Sequence, residues 1–175
     1  MSIGYVQPDD NEHVIIHLAA KVGESLQQRG LFLVSAESCT GGWLGQAVTA
    51  IAGSSAWYER GFITYSNLSK NELLNVSLDT LSEFGAVSEE TAKDMAIGAQ
   101  KNSHAQISVA ITGIAGPDGG SKAKPVGTVC FAWLQKNDVL ISKTCIFKGD
   151  RESIRRQSVI KALNGILDLL SKQLN

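Results

Sequence analysis

Cysteine, histidine and proline are scarce in this 175-residue chain, three of each, and the first two scarcities close off classes of protein. Cys39, Cys130 and Cys145 are odd in number, far apart and include no Cys-x-x-Cys pair. Neither a disulfide framework nor a zinc site is expected, and reduced thiols in the cytoplasm fit best. His13 and His17, four residues apart, could share a helix face, but no third ligand stands in a recognisable pattern, so no metal and no other cofactor is expected. Long apolar runs are missing too. No segment approaches the about 20 uninterrupted apolar residues that span a bilayer, and residues 1–11 hold no basic patch leading into an apolar stretch, so neither export signal nor membrane anchor is expected. Net charge is −1, with acids and bases scattered through every segment. The basic stripe that nucleic-acid phosphates demand is lacking, and DNA, RNA and membrane are set aside as partners.

What is present is the composition of a folded protein. Apolar residues make up 43% and charged ones 19%, which argues against long disorder. The length supports one hydrophobic core and would leave two independent domains marginal, so residues 1–175 are expected to form a single domain.

Val14, Leu18, Val22 and Leu26 recur every four residues behind the capping candidates Asp9, Asp10 and Asn11, with Gly30 as a stop; this predicts a first helix. Residues 31–34 are a short apolar run suited to a buried strand. It delivers the chain into Ala36-Glu37-Ser38-Cys39-Thr40-Gly41-Gly42, ahead of a helix over residues 43–50. A second strand is expected over residues 61–66, a helix over 67–76, and a helix from the cap Ser88 with Glu89 and Glu90 to about Asn102. A strand over residues 105–112 leads into a Gly-, Pro- and Lys-rich loop, 113–127. Strands 128–135 and 139–147, joined by Lys136-Asn137-Asp138, should form an antiparallel hairpin. From Asp150 onward, Ile154, Ser158, Ala162, Ile166 and Leu169 mark a long amphipathic closing helix. Early alternation of strand and helix followed by a late hairpin predicts an α/β fold: a three-layer α/β/α sandwich whose mixed sheet is covered on both faces.

The chemistry gathers at the turns. Ser38 lies where a buried strand should end and a helix begin, beside Thr40, Gly41 and Gly42, whose small side chains would leave backbone N–H groups free to point at an anion. Either Ser38 is a nucleophile beside an oxyanion hole, or Ser38 or Thr40 caps the helix, an interaction of about 1 kcal/mol; position alone does not decide. None of His13, His17 and His104 lies in a loop after a strand, which argues against a Ser/His/Asp arrangement. Lysine is the remaining base, and it works only when burial or nearby positive charge leaves its amine neutral. Lys70, after Tyr65-Ser66-Asn67-Leu68-Ser69, should reach the same sheet edge as Ser38, although a lysine at a helix start is ordinarily a solvated charge. Thr112-Gly113-Ile114-Ala115-Gly116-Pro117 is a second glycine turn where backbone can approach a ligand, or simply a wide turn. Arg151, Arg155 and Arg156 oppose the dipole at the start of the last helix. An anionic ligand would explain them, and so would pairing with Asp150 or Glu152.

Taken together, Ala36-Glu37-Ser38-Cys39-Thr40-Gly41-Gly42, Gly53-Ser54-Ser55, Tyr65-Ser66-Asn67, Lys70, Gly85-Ala86-Val87-Ser88, Thr112-Gly113-Ile114-Ala115-Gly116-Pro117, Lys124-Pro125-Val126-Gly127-Thr128-Val129 and Gly149-Asp150-Arg151 resemble the CinA C-terminal domain family, in order along nearly the whole chain. The likeness is strongest to its stand-alone bacterial members that deamidate nicotinamide mononucleotide in pyridine-nucleotide recycling. It implies a cytoplasmic amidohydrolase without metal or cofactor, acting on a small-molecule nucleotide and assembling as a homodimer or larger homo-oligomer. Ser38 would attack the carboxamide, Lys70 would accept its proton, and Tyr65 would orient or relay it. Thr40, Gly41, Gly42, Gly113 and Gly116 would hold the oxyanion and the nucleotide, Thr112 would add a hydroxyl, and Arg151 and Arg155 would receive the phosphate. The larger domain fused to this one in many relatives has no counterpart in 175 residues, so its activity is not expected. Two rivals remain: a thiol mechanism through Cys39, whose side chain should face away from Ser38, and a module that binds a pyridine nucleotide or sugar phosphate without cutting it.

Overall fold

The four-residue apolar repeat forms helix α1 (Asp10–Arg29), but its buried stripe is Ile15, Ala19, Val22 and Leu26, while Val14 is exposed. Gly30, at a positive φ, ends it. The computed structural model describes residues 10–137 and 139–171; of the expected cap and turn residues, Asp9 and Asp138 lie outside them. Strand β1 (Leu33–Glu37) follows, then helix α2 (Trp43–Thr49), a short 3-10 turn (Ser54–Ala56), and strand β2 (Tyr58–Ile63). Helices α3 (Asn67–Leu74), α4 (Leu78–Glu83) and α5 (Glu89–Lys101) lead to strand β3 (Ile107–Gly113). Strands β4 (Thr128–Gln135) and β5 (Leu140–Ile146) form the expected hairpin, and α6 (Arg151–Ser171) closes the chain.

Three expectations move. The first strand begins at Leu33 and continues to Glu37, because Ser35 and Glu37 are buried polar residues with partners inside the protein. The second begins at Tyr58 and ends at Ile63, with Gly61 in its middle. A Cβ on Gly61 would lie 2.4 Å from the Tyr58 hydroxyl, which bonds Ser35 at 2.8 Å. Helix α4, only six residues capped by Ser77, is too short to display a period and was not expected.

The sheet runs β2-β1-β3-β4-β5, with β1 parallel to both neighbours and β4 antiparallel to both of its own. Helices α1, α2 and α6 cover one face, against Leu33, Ile107, Val109, Ile111, Val129, Phe131 and Trp133. Helices α3, α4 and α5 cover the other, against Val34, Ala36, Ala110, Cys130 and Ala132. The single-domain α/β/α sandwich with a mixed sheet is therefore as expected. Strand alternation divides the faces by size: small residues face α5, which presents Ala92, Ala96 and Ala99 in return, while the aromatic bulk lies under α6. Trp133 donates to the Ala162 carbonyl at 3.0 Å over Gly165, where a Cβ would lie 2.1 Å from its ring. Gly165→Ala cannot be accommodated without moving strand or helix.

This connectivity brings the carboxyl ends of β1, β2, β3 and β5, the loop 113–127 and the amino ends of α3, α5 and α6 to one edge of the sheet. That edge is where open α/β sheets hold their ligands.

Candidate functional site

Ser38 continues β1 by one residue, its N–H donating to the Ile111 carbonyl of β3 at 2.9 Å. On the neighbouring strand Thr64 likewise donates its N–H to the Glu37 carbonyl at 2.8 Å. Ser66 then opens α3 with a reciprocal capping box to Ser69, and the first turn of that helix aims Lys70 back at the strand ends. Lys70 Nζ lies 3.0 Å from Ser38 Oγ and donates to the Thr64 carbonyl at 2.8 Å. Both side chains are inside the protein, Lys70 at 1% and Ser38 at 8% exposure. Burial lowers the Lys70 pKa from 10.5 to about 8, and among the described residues no carboxylate is paired with it. A buried lysine with its pKa brought down to about 8 has its amine available to a serine hydroxyl far more often than a solvated one and is a general base in position. The hydroxyls of Thr40 and Thr64, wholly buried, have no hydrogen-bond partner among the described residues.

The turn after Ser38 is arranged differently from its sequence expectation. Gly41 donates its N–H to the Ser38 carbonyl at 3.0 Å, and Gly42 donates to the Glu37 carboxylate at 3.1 Å. The glycine N–H groups are thus spent on the turn itself. That of Thr40 has no acceptor among the described residues and that of Cys39 meets only its own thiol, so these two are the ones left for an anion. Glu37, buried to 1% exposure, also accepts from Leu44 at 3.0 Å and Gly45 at 2.8 Å, so it satisfies the first N–H groups of α2. Cys39 faces the other way from Ser38, into the core beneath α1, α2 and α6, and burial pushes its thiol up to about 12. A thiolate is not available there.

The remaining expected site residues are gathered at the same edge, with other partners than foreseen. Tyr65 is 62% exposed, and its hydroxyl accepts from Arg151 at 2.9 Å rather than meeting Lys70. Arg151 also donates to the Gly116 carbonyl at 2.7 Å, tying the loop 113–127 to the segment after β2. Gly116 has a positive φ, and a Cβ there would lie 2.5 Å from Val126. Gly113 is crowded by the Thr128 carbonyl, and the Thr112 hydroxyl donates to the Ala86 carbonyl at 2.7 Å. Arg155 donates to the carbonyls of Cys39 at 3.1 Å and Thr40 at 2.8 Å, while its guanidinium lies over the Trp43 ring. Among the described residues Arg156 pairs with a neighbouring acid, Glu152, whereas Arg151 and Arg155 have no such ion pair. Along the same edge a cleft of about 420 Å³ is lined by Ser88, Lys124, Thr128, Thr144 and Ile146 among others. Among the described residues no group of three or more His, Cys, Asp and Glu could hold a metal ion, and no helix is long and apolar enough to cross a membrane.

Sequence reasoning missed Glu37 and Thr64. An acid just before a glycine turn that opens a helix is a legible cap signal, whereas Thr64 acts on Lys70 through a backbone carbonyl that any residue would supply.

Fold and site define an α/β/α protein built around a buried serine–lysine pair. The chain belongs to the CinA C-terminal domain family, whose model matches residues 15–170. It is 50% identical over 149 residues to "Nicotinamide-nucleotide amidohydrolase PncC" of Escherichia coli (strain K12), covering 85% of this chain and 90% of that one. It is 49% identical over 155 residues to the protein of the same name from Pseudomonas putida, covering 89% and 96%. The crystal structure of competence/damage inducible protein CihA from Agrobacterium tumefaciens superposes with a TM-score of 0.88 at 42% identity, covering 95% of this chain and 99% of that one.

Proposed function

We propose that this protein is a nicotinamide-nucleotide amidohydrolase that cuts the carboxamide of nicotinamide mononucleotide, giving nicotinic acid mononucleotide and ammonia in pyridine-nucleotide recycling. The observation that carries the chemistry is the 3.0 Å approach of Lys70 Nζ to Ser38 Oγ in a closed site; the substrate comes from relatives of that name at about 50% identity over most of the chain.

Ser38 Oγ attacks the amide carbon as the neutral Lys70 amine takes its proton, and the oxyanion forms against the Thr40 and Cys39 N–H groups. The lysine ammonium then returns the proton to the leaving nitrogen, the C–N bond breaks and ammonia departs. Water attacks the resulting ester with Lys70 again as base, the ammonium returns that proton to Ser38 Oγ as the Ser38–acyl bond breaks, and the acid product leaves as its carboxylate. Arg151, at the mouth of the site with donors to spare, is the arginine assigned to the phosphate. Tyr65, held by Arg151, lines the entrance and orients the substrate. The reaction belongs in the cytoplasm, since a charged nucleotide does not cross a bilayer unaided. Self-association as a homodimer or larger assembly is part of the same reading and is checked by sedimentation.

The test is formation of ammonia and nicotinic acid mononucleotide by the purified protein with chelator present, alongside Ser38→Ala. Turnover abolished by the substitution is expected. Tight binding of the nucleotide by the unsubstituted protein without product would replace the enzyme by a binding module.

A further inference from the structure

Arg155 and Glu37 grip the nucleophile turn from its two ends with opposite charges. On one side Arg155, reaching across from α6, donates to two successive carbonyls, Cys39 at 3.1 Å and Thr40 at 2.8 Å. On the other, the Glu37 carboxylate accepts three N–H groups, those of Gly42, Leu44 and Gly45. A trans peptide unit is planar, with its C=O and N–H pointing in opposite directions. Drawing the Cys39 carbonyl toward α6 therefore turns the Thr40 N–H away from α6, toward the face that carries Ser38 and Lys70. No acceptor among the described residues takes that N–H.

A phosphate would be poorly placed at Arg155. The shallow cavity of about 380 Å³ beside it is lined by Gly41, Gly42, Trp43, Gln46 and Glu152. The helix end that would favour an anion there already holds Glu37, and Glu152 adds a second carboxylate. The guanidinium is half-buried, with its centre 5.3 Å from the Trp43 ring centroid, so its orientation is set without a ligand.

We infer that Arg155, opposed by Glu37, is a positioning residue that sets the Cys39–Thr40 peptide as the oxyanion donor, and that it is not a ligand of the nucleotide phosphate. The inference rests on the reading of Ser38 as the nucleophile of an amidohydrolase. Misplacement of a reacting group by about 1 Å costs on the order of a hundred-fold in rate, and that is the size of effect expected.

The experiment compares nicotinamide mononucleotide with nicotinamide riboside, which differ only in the phosphate, in the unsubstituted protein, Arg155→Gln, Arg155→Lys and Glu37→Gln. The positioning role lowers kcat about a hundred-fold in Arg155→Gln, with KM for the mononucleotide and the Kd of nicotinic acid mononucleotide by calorimetry within about three-fold. The rate on the riboside falls by the same factor. Arg155→Lys recovers only a small part, because a flexible, strongly hydrated ammonium lacks the planar, pre-organised fork that holds the two carbonyls in one fixed geometry. Glu37→Gln lowers kcat in the same way, since an amide offers one acceptor oxygen where the carboxylate offers two. A rise in KM and product Kd confined to the phosphorylated compounds, restored by Arg155→Lys, would overturn the proposal and return Arg155 to the phosphate. So would unchanged kcat in Arg155→Lys, the variant that keeps charge and stem and secures the comparison if Arg155→Gln folds poorly. No turnover by the unsubstituted protein would count against the enzymatic reading itself, a different failure from either of these.

Discussion

Ser38 and Cys39 are adjacent in the chain and face opposite sides of the same sheet. Ser38 looks toward the face covered by α3, α4 and α5, where it finds a buried amine whose pKa has fallen to about 8. Cys39 looks into the apolar core under α1, α2 and α6, where burial drives its pKa up to about 12. The intrinsically better nucleophile is thus held inert, and the poorer one is placed beside a base. Desolvation acts on both sides and disfavours the charged form of each group. For a lysine that yields the reactive neutral base; for a cysteine it yields the unreactive thiol. One physical effect, applied on two faces, selects the residue that reacts.

The sharpest break of this contrast comes from removing the reactive side. Ser38→Ala is expected to lower amide hydrolysis by at least about 10³-fold while nucleotide binding by calorimetry stays within a few-fold. Lys70→Met, close in shape but without a proton acceptor, is expected to cost about as much, and the double variant hardly more, because the two act as a unit. Near-additive losses in the double variant would mean that serine and lysine work separately.

Lys70→Met should also move stability, in the opposite direction to activity. With a folded pKa near 8 against about 10.4 for an unfolded lysine, the unfolded chain holds the proton more tightly, so stability increases with pH across that window. The cost of burying the charge is fully present below about pH 8 and disappears above about pH 10.4. The methionine variant is therefore expected to melt several degrees higher at pH 7, at about 2–4 °C per kcal/mol relieved, with the gap closing at pH 10. The same titration governs the reaction: kcat/KM on nicotinamide mononucleotide should rise about ten-fold per pH unit below pH 8 and then level. A profile flat from pH 6 to 9 would argue that the lysine proton is not the one that matters.

The parts of this arrangement were unequally legible in the sequence. The hairpin could be read almost to the residue, because the turn lies between two long β-branched and aromatic runs and Asn137 adopts the positive φ such a turn needs. The closing helix was legible from its period. The ends of β1 and β2 were not, since Ser35, Glu37, Glu59 and Arg60 look like loop residues until their partners are known. That Lys70 meets Ser38 across 32 residues followed from the family resemblance and from topology, which puts the ends of β1 and β2 side by side. Which arginine does what could not be read at all. Arg155 bonds to two backbone carbonyls and Arg151 to one, and a carbonyl leaves no mark in the residue type that carries it. The glycine turn misled for a related reason: Gly41 and Gly42 are required by positive φ, but their N–H groups serve the turn rather than a ligand.

The smallest expected effect is at Cys39, and it sharpens the contrast from the unreactive side. Cys39→Ser leaves the backbone, the Arg155 bond to the Cys39 carbonyl and the Ser38 face unchanged, so kcat on nicotinamide mononucleotide should stay within about three-fold. What changes is the core: a hydroxyl replaces a thiol in apolar surroundings at 6% exposure, which should cost about 1–3 kcal/mol of stability unless it finds a partner. Cys39→Ala isolates the packing part of that cost and should be milder than the serine. Thiol-alkylating reagents should likewise leave turnover intact at neutral pH, because a buried thiol pushed up to about 12 presents almost no thiolate. Loss of activity on alkylation in the unsubstituted protein, prevented by Cys39→Ser, would show that the two faces communicate through the turn and that the division between them is incomplete.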